Sequence, residues 1–207
     1  MSSLNTLVIR IDPDDPDRDV IDYSARAVRE GGIVAFPTET VYGLAVNAAD
    51  NKAIEKLYGI KKRSRGKPFT VHVADLKVIK KMGCRITGEA SRLIKKFWPG
   101  PLTIILKSKD GGKIGFRMPA NKVALELIRS AGVPVIAPSA NISGKVPPKN
   151  VKEVLKDLDG KIDIALDAGR TEIGIESTVI DITGSPPVIL RQGAISRKIL
   201  EKALGCA

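Results

Sequence analysis

Histidine is nearly absent from this chain. His72 is the only one among 207 residues, and cysteine occurs twice, at Cys84 and Cys206. With one histidine and no CxxC pair, neither a Cys/His zinc site nor a redox motif is expected. Any Ser-His-Asp scheme would have to run through His72 alone, and none is evident. Aromatic residues make up 4% of the chain, which weighs against a platform that stacks single-stranded bases. No apolar run approaches the ~20 residues that a membrane helix needs. The amino terminus shows no basic stretch followed by an apolar core, so no signal peptide is expected and the chain reads as cytoplasmic. The phosphate-loop pattern GxxxxGK(S/T) does not occur.

Positive charge is abundant. The formal net charge is +11 and the pI is near 9.7. Such a balance points to anionic partners (nucleotide, phosphate, nucleic acid or an anionic surface) without choosing among them. Length and a 43% hydrophobic content suit one domain, 1–207, that needs no disulfide or metal for stability. Gln192 is the only glutamine while Lys and Glu are plentiful, which leans towards a thermophilic source.

Polar side chains gather where apolar runs stop. Gly31-Gly32-Ile33-Val34-Ala35-Phe36 reads as a buried strand, ended by Pro37, which has no N–H to donate. Thr38-Glu39-Thr40-Val41-Tyr42-Gly43-Leu44 follows, with four hydrogen-bonding side chains where a core should begin. As a plain turn it would leave Glu39 solvated. As a ligand loop it sits where open α/β sheets place their sites. The construction recurs. Phe69-Thr70-Val71-His72-Val73 alternates, with Thr70 and His72 on one face and Val71 and Val73 on the other. Ser139-Ala140-Asn141-Ile142-Ser143-Gly144 closes the apolar run 133–138 with small residues that let a ligand approach the backbone. Run 175–181 carries Ser177 and Thr178 inside a strand pattern.

Cations complete the pattern. Arg117 and Arg191 each end an apolar strand, and a buried arginine needs an anionic partner from the protein or a ligand. Lys61-Lys62-Arg63-Ser64-Arg65-Gly66-Lys67-Pro68 is the densest positive run, readable as a solvated loop or as a polyphosphate grip. Asp17, Asp50, Asn121, Asn150 and Ser196 are placed to cap helices. The sum is α/β: one domain, a mixed twisted sheet of about seven strands, and flanking helices. A site rich in cations and hydroxyls but poor in general bases suits positioning and charge neutralisation, and nucleotidyl transfer is chemistry of that kind.

Taken together the segments resemble the YrdC-like family, the threonylcarbamoyl-AMP synthases, over about residues 20–197. The residues that carry the resemblance are Pro37 to Leu44, Lys61-Lys62-Arg63, Lys67-Pro68-Phe69 through His72, Pro99-Gly100-Pro101-Leu102-Thr103, Arg117-Met118-Pro119, Ser139 to Gly144, Ser177 to Asp181 and Arg191-Gln192-Gly193-Ala194-Ile195. The resemblance implies formation of threonylcarbamoyl-adenylate and pyrophosphate from L-threonine, bicarbonate and ATP, with Mg²⁺ on the phosphates and unspecified metal ligands. A downstream tRNA threonylcarbamoyl-transferase machinery would use the product. It further implies that Thr38, His72, Arg117, Ala137 and Ser177 form the L-threonine side, with Arg117 on the amino acid's carboxylate. Lys61, Arg63, Ser139, Asn141 and Arg191 would form the ATP side, and Lys61, Arg63 and Arg117 would act on the reaction itself.

The chain departs from the family pattern in three places. Lys67 stands where Asn is frequent, Lys113 where Thr is frequent, and Val146-Pro147-Pro148 where Pro-Ser-Pro is frequent; the two lysines would give ATP charged contacts. The chain looks like the short form, without the extra C-terminal domain. Two other readings remain beside the synthase. A non-catalytic RNA-binding protein of RNA or ribosome maturation would use the positive charge. A carbamoyl-AMP module like that of hydrogenase maturation factors shares the fold, but it usually stands beside zinc-finger and acylphosphatase segments.

Overall fold

In the computed structural model, which describes residues 5–205, the apolar runs join one ten-stranded sheet. The strands are β1 (Leu7–Arg10), β2 (Val34–Phe36), β3 (Gly43–Asn47), β4 (Val71–His72), β5 (Leu102–Lys107), β6 (Lys113–Arg117), β7 (Val135–Ile136), β8 (Ile164–Asp167), β9 (Thr178–Asp181) and β10 (Val188–Arg191). Their order is β1-β8-β2-β3-β7-β4-β6-β5-β9-β10. Parallel pairs (β1/β8, β2/β8, β4/β6, β5/β9) mix with antiparallel ones (β2/β3, β3/β7, β4/β7, β5/β6, β9/β10).

Ten strands replace the seven expected. Part of the excess comes from β3, which is hidden in sequence as the tail of a polar loop and is the antiparallel partner of β2. Other runs are shortened. Run 69–73 keeps two residues as β4, 133–138 keeps two as β7, and 175–181 contributes only Thr178–Asp181. The trimmed residues leave the ladder and become site-bearing backbone.

The helices are α1 (Arg18–Arg29), α2 (Asn51–Lys61), α3 (Lys77–Lys81), α4 (Gly88–Phe97), α5 (Lys122–Ala131), α6 (Val151–Leu158) and α7 (Arg197–Leu204). Asp17, Asp50, Asn121 and Asn150 accept first-turn N–H groups as caps. Ser196 precedes α7 but makes no side-chain cap bond.

Strand alternation sorts the core into two apolar clusters, one per sheet face. Ala35, Leu44, Val46, Val71, Phe116 and Ile180 point to one face, which α2, α4, α6 and α7 cover through Leu57, Leu93, Val154 and Leu200. Val34, Phe36, Ala45, Val135 and Ile164 point to the other, where α1 and α5 supply Ile21, Ala25, Val28, Val123 and Leu127. Each fully buried aliphatic or aromatic side chain contributes roughly 1.5–3 kcal/mol. On the β4–β6–β5 part of that second face the sequence changes character. His72 and Arg117 stand in register across β4 and β6, and Thr70 and Thr103 join them around one cavity.

Candidate active site

The loop after β2 is wound on one hydroxyl. Thr38 Oγ1 accepts from the N–H groups of Thr40 (3.2 Å) and Val41 (3.3 Å) and donates to the Val41 carbonyl (2.7 Å). Its proton is thereby used, so the 2.9 Å contact with Thr40 Oγ1 runs from Thr40 to Thr38. Thr40 Oγ1 in turn accepts from Arg117 Nη2 at 2.8 Å. A directional chain therefore links Arg117 through Thr40 and Thr38 to the backbone. Segment 169–176 lies across this loop: Ile173 N–H donates to Glu39 O (2.9 Å) and Gly174 N–H to Thr40 O (2.8 Å). Tyr42 sends its hydroxyl to Gly169 O (2.8 Å), and burial holds its pKa well above the usual phenol range.

Glu39 is not solvated, as a plain turn would leave it. Its side chain is 3% exposed and lies 2.8 Å from Arg117 Nη2, itself on a side chain 5% exposed. This supplies the anionic partner that Arg117 demanded. Arg117 Nε also donates to Gly100 O at 3.4 Å. Burial lowers the Arg117 pKa and the Glu39 charge opposes that shift, leaving a guanidinium still charged at neutral pH. His72 is held well below its usual range, first by burial and then by the Arg117 charge, so it is neutral. It meets Phe36 edge-on, with ring centroids 6.3 Å apart.

Arg117 and His72 line a cavity together with Thr38, Ala137 and Ser177, the whole set that the resemblance put on the amino-acid side. Ser177 Oγ lies 2.9 Å from Thr103 Oγ1. A second, wider cavity contains Lys61, Arg63, Ser139, Asn141 and Arg191, the set put on the nucleotide side, together with Lys67 and Pro147. The two share Arg63, Ser139, Glu176 and Arg191 as a common wall. Lys113 is in neither lining; it pairs with Asp181 at 2.8 Å, away from a contact with nucleotide.

The cations differ in what they are free to do. Lys61 ends α2 and is 1% exposed. Its ammonium donates to Ser139 O (2.5 Å) and Asn141 O (2.6 Å) and so fixes the Ser139–Asn141 turn. Burial first, then Arg63, bring its pKa down to about 8. Arg63 donates to the carbonyls of Lys67 (2.8 Å) and Pro68 (3.1 Å) and lies over Phe69. Arg191 grips Ser177 O through Nε (3.1 Å) and Nη2 (2.9 Å), and pairs with Glu176 at 2.7 Å.

Sequence reasoning missed Glu176, the only carboxylate among the described residues lining either cavity, and also Thr70 and Thr103 as lining residues. A signal was present for two of them, since Glu176 adjoins Ser177 and Thr70 lies two residues from His72 in a strand-like run, whereas the run of Thr103 held no other candidate. Among the described residues no group of three or more His, Cys, Asp or Glu is placed to hold a metal ion. No described helix is long and apolar enough to cross a membrane.

The first cavity presents a buried guanidinium, a neutral imidazole and hydroxyls, which suits a small polar molecule bearing a carboxylate. The second is broad and cationic, which suits phosphates. A family profile described as "Telomere recombination", covering Sua5, YciO and YrdC, matches residues 26–193. A threonylcarbamoyl-AMP synthase of Pyrococcus abyssi is 44% identical over 191 residues, covering 88% of this chain and 56% of that protein. Another, of Bacillus subtilis, is 42% identical over 192 residues, again 88% and 56%. The chain thus spans little more than half the length of these two relatives. Among solved structures, P. abyssi Sua5 complexed with L-threonine superposes with a TM-score of 0.91 at 41% identity, covering 97% of this chain and 61% of that one.

Proposed function

This chain belongs to the Sua5/YciO/YrdC family, and from that premise we propose that it is a nucleotidyltransferase making threonylcarbamoyl-AMP and pyrophosphate from L-threonine, bicarbonate and ATP, for threonylcarbamoyl-adenosine modification of tRNA. The observation that carries the reading is the pair of cavities with a common wall at Arg63, Ser139, Glu176 and Arg191. An amino acid in one and a triphosphate in the other meet at that wall.

Arg117 receives the threonine carboxylate, Ser177 and neutral His72 offer hydrogen bonds to the rest of the molecule, and Thr38, its hydroxyl committed within its own turn, shapes the wall beside them. Bicarbonate condenses with the amine to a carbamate with loss of water. A carbamate oxygen then attacks the α-phosphorus, the bond to the β-phosphate oxygen breaks, and pyrophosphate leaves. Arg63, Arg191 and Lys61 neutralise the charge that develops on the phosphates. Neutral His72 leaves Arg117 as the cation that meets the carboxylate, and its own role is one of shape and hydrogen bonding. Mg²⁺ would supply charge neutralisation on the triphosphate, held by phosphate oxygens and water with Glu176 as the nearest carboxylate, a ligand set usual for this ion.

Pyrophosphate release from ATP with bicarbonate, with and without L-threonine, tests the reading in wild type and Arg117→Ala. Release that requires threonine and is lost in the variant is expected; release indifferent to threonine refutes it.

Direct RNA contact is a second reading, favoured by where the lysines lie. Lys107, Lys109 and Lys113 are exposed at the turn end of the β5–β6 hairpin, with Arg85 beside them. Thr103 and Arg117 face the cavity some four residues away along the same strands, roughly 13 Å. Charge reversal at Lys107 and Lys109 should then reduce RNA retention and its salt slope while leaving pyrophosphate release intact.

A further inference from the structure

Glu39 is the one ionisable side chain of the site that faces no cavity. It is absent from both linings, while its neighbours Thr38 and Val41 and its ion partner Arg117 line the first. A buried carboxylate normally collects hydrogen bonds on both oxygens. Here neither Oε1 nor Oε2 receives one from the described residues, although Oε2 is 2.8 Å from Arg117 Nη2. The contact is electrostatic, without a straight N–H···O line. Its backbone, by contrast, is held firmly, with Ile173 N–H on the Glu39 carbonyl at 2.9 Å. A fixed backbone delivers a fixed negative charge behind a guanidinium whose front faces the cavity.

We propose that Glu39 is a positioning residue: its carboxylate, held behind Arg117, orients the guanidinium to receive the carboxylate of the amino-acid substrate. Arg117 has five N–H groups. Nε is directed at Gly100 O and one Nη2 hydrogen at Thr40 Oγ1. Glu39 sits beside Nη2, so the Nη1 edge is left for a ligand, with no hydrogen bond to the described residues. Without Glu39 the guanidinium keeps two weak anchors and can turn about its long side chain. Glu39 also balances the buried charge before substrate arrives, so the site does not trap stray anions in its place.

The inference rests on threonine as the substrate and deepens that reading. Its test is a titration of the full chain with L-threonine, with L-threoninol, which lacks the carboxylate, and with ATP. Wild type should prefer threonine to threoninol. Glu39→Gln keeps the shape and removes the charge. It should weaken threonine about tenfold or more, the scale at which losing the outer partner of a metal-binding side chain weakens a metal site, and leave threoninol and ATP within twofold. A role in folding alone would weaken all three together. Thr40→Val, which removes the Nη2 acceptor at 2.8 Å without adding a buried charge, should reduce the threonine preference in the same direction and decides the matter if Glu39→Gln does not fold. If wild type shows no preference for threonine, the substrate reading falls and Glu39 with it. If wild type discriminates and both variants do so equally well, the Glu39 assignment alone is overturned.

Discussion

Gly193 offers a sharp mechanical test of the wall between the cavities. A Cβ placed there would lie 2.6 Å from the carbonyl carbon of Ser177 and 2.7 Å from its oxygen, and closer still to the Glu176 carbonyl. All three are backbone atoms, so no rotamer change relieves the overlap. Relief requires the chains to part by nearly an ångström. That movement loosens the Gly193 and Ile195 N–H bonds to Thr178 Oγ1, both 3.0 Å, and the Ala194 N–H bond to Glu176 O, 3.0 Å. Overpacking costs about 1–3 kcal/mol, and each weakened bond adds a fraction of the usual ~1 kcal/mol. Gly193→Ala should therefore lose about 3 kcal/mol, a drop of roughly 6–12 °C in melting temperature for a chain of this size. It should also weaken threonine and ATP together, because Ser177 and Glu176 move as one. Differential scanning calorimetry and isothermal titration read both effects. Gly184→Ala, where a Cβ meets nothing within 4 Å, is the control. A melting temperature within 2 °C of wild type with both affinities unchanged would refute the steric argument.

Three further outcomes concern single side chains at the site. The folded chain holds Lys61 near 8 against an ordinary 10.5, so between those values the unfolded chain binds more protons. Stability should then rise with pH through the window by roughly 3 kcal/mol, a gain that Lys61→Met abolishes in urea melts at pH 7.5 and 10. His72 is depressed below 6.5, so its contribution is present above that pH and is lost as pH falls, by at most about 1.4 kcal/mol per unit; His72→Asn should flatten the fall between pH 6.5 and 5 in thermal melts. Thr103→Val removes the hydroxyl that meets Ser177 Oγ at 2.9 Å. Its cost should be about 1 kcal/mol, with a raised KM for threonine and an unchanged KM for ATP in steady-state assays.

Much of the site was legible because its residues break rules. A hydroxyl-rich loop after an apolar strand, and arginines ending apolar strands, contradict core patterning, and Thr38, Arg117 and Arg191 all prove to line cavities. The helix starts at Asp17, Asp50, Asn121 and Asn150 were legible for the local reason that a cap acts within its own turn. What escaped was decided at long range. Glu39 is buried because Arg117, 78 residues on, meets it. Nothing within Thr38-Glu39-Thr40 distinguishes that glutamate from a solvated one. Strand β3 escaped because its pairing with β2 and β7, rather than its own composition, makes Gly43–Asn47 extended. Ser177 reads as mid-strand, yet the ladder begins only at Thr178. There Arg191 donates to its carbonyl and Gly193 passes close against its backbone.

The sheet order has a consequence for time. Neighbours such as β1 and β8, or β3 and β7, lie far apart along the chain, so each junction closes a long loop before any contact rewards it. The cavities draw on side chains from Thr38 to Arg191. Helices α1 and α2 can wind early on their own caps, and circular dichroism would register them. Ligand binding cannot appear until β9 and β10 have docked and brought Ser177 and Arg191 to the wall. In a refolding chain the far-ultraviolet signal should therefore recover well before threonine binding does, and the lag between the two would measure how long the molecule spends structured but unable to act.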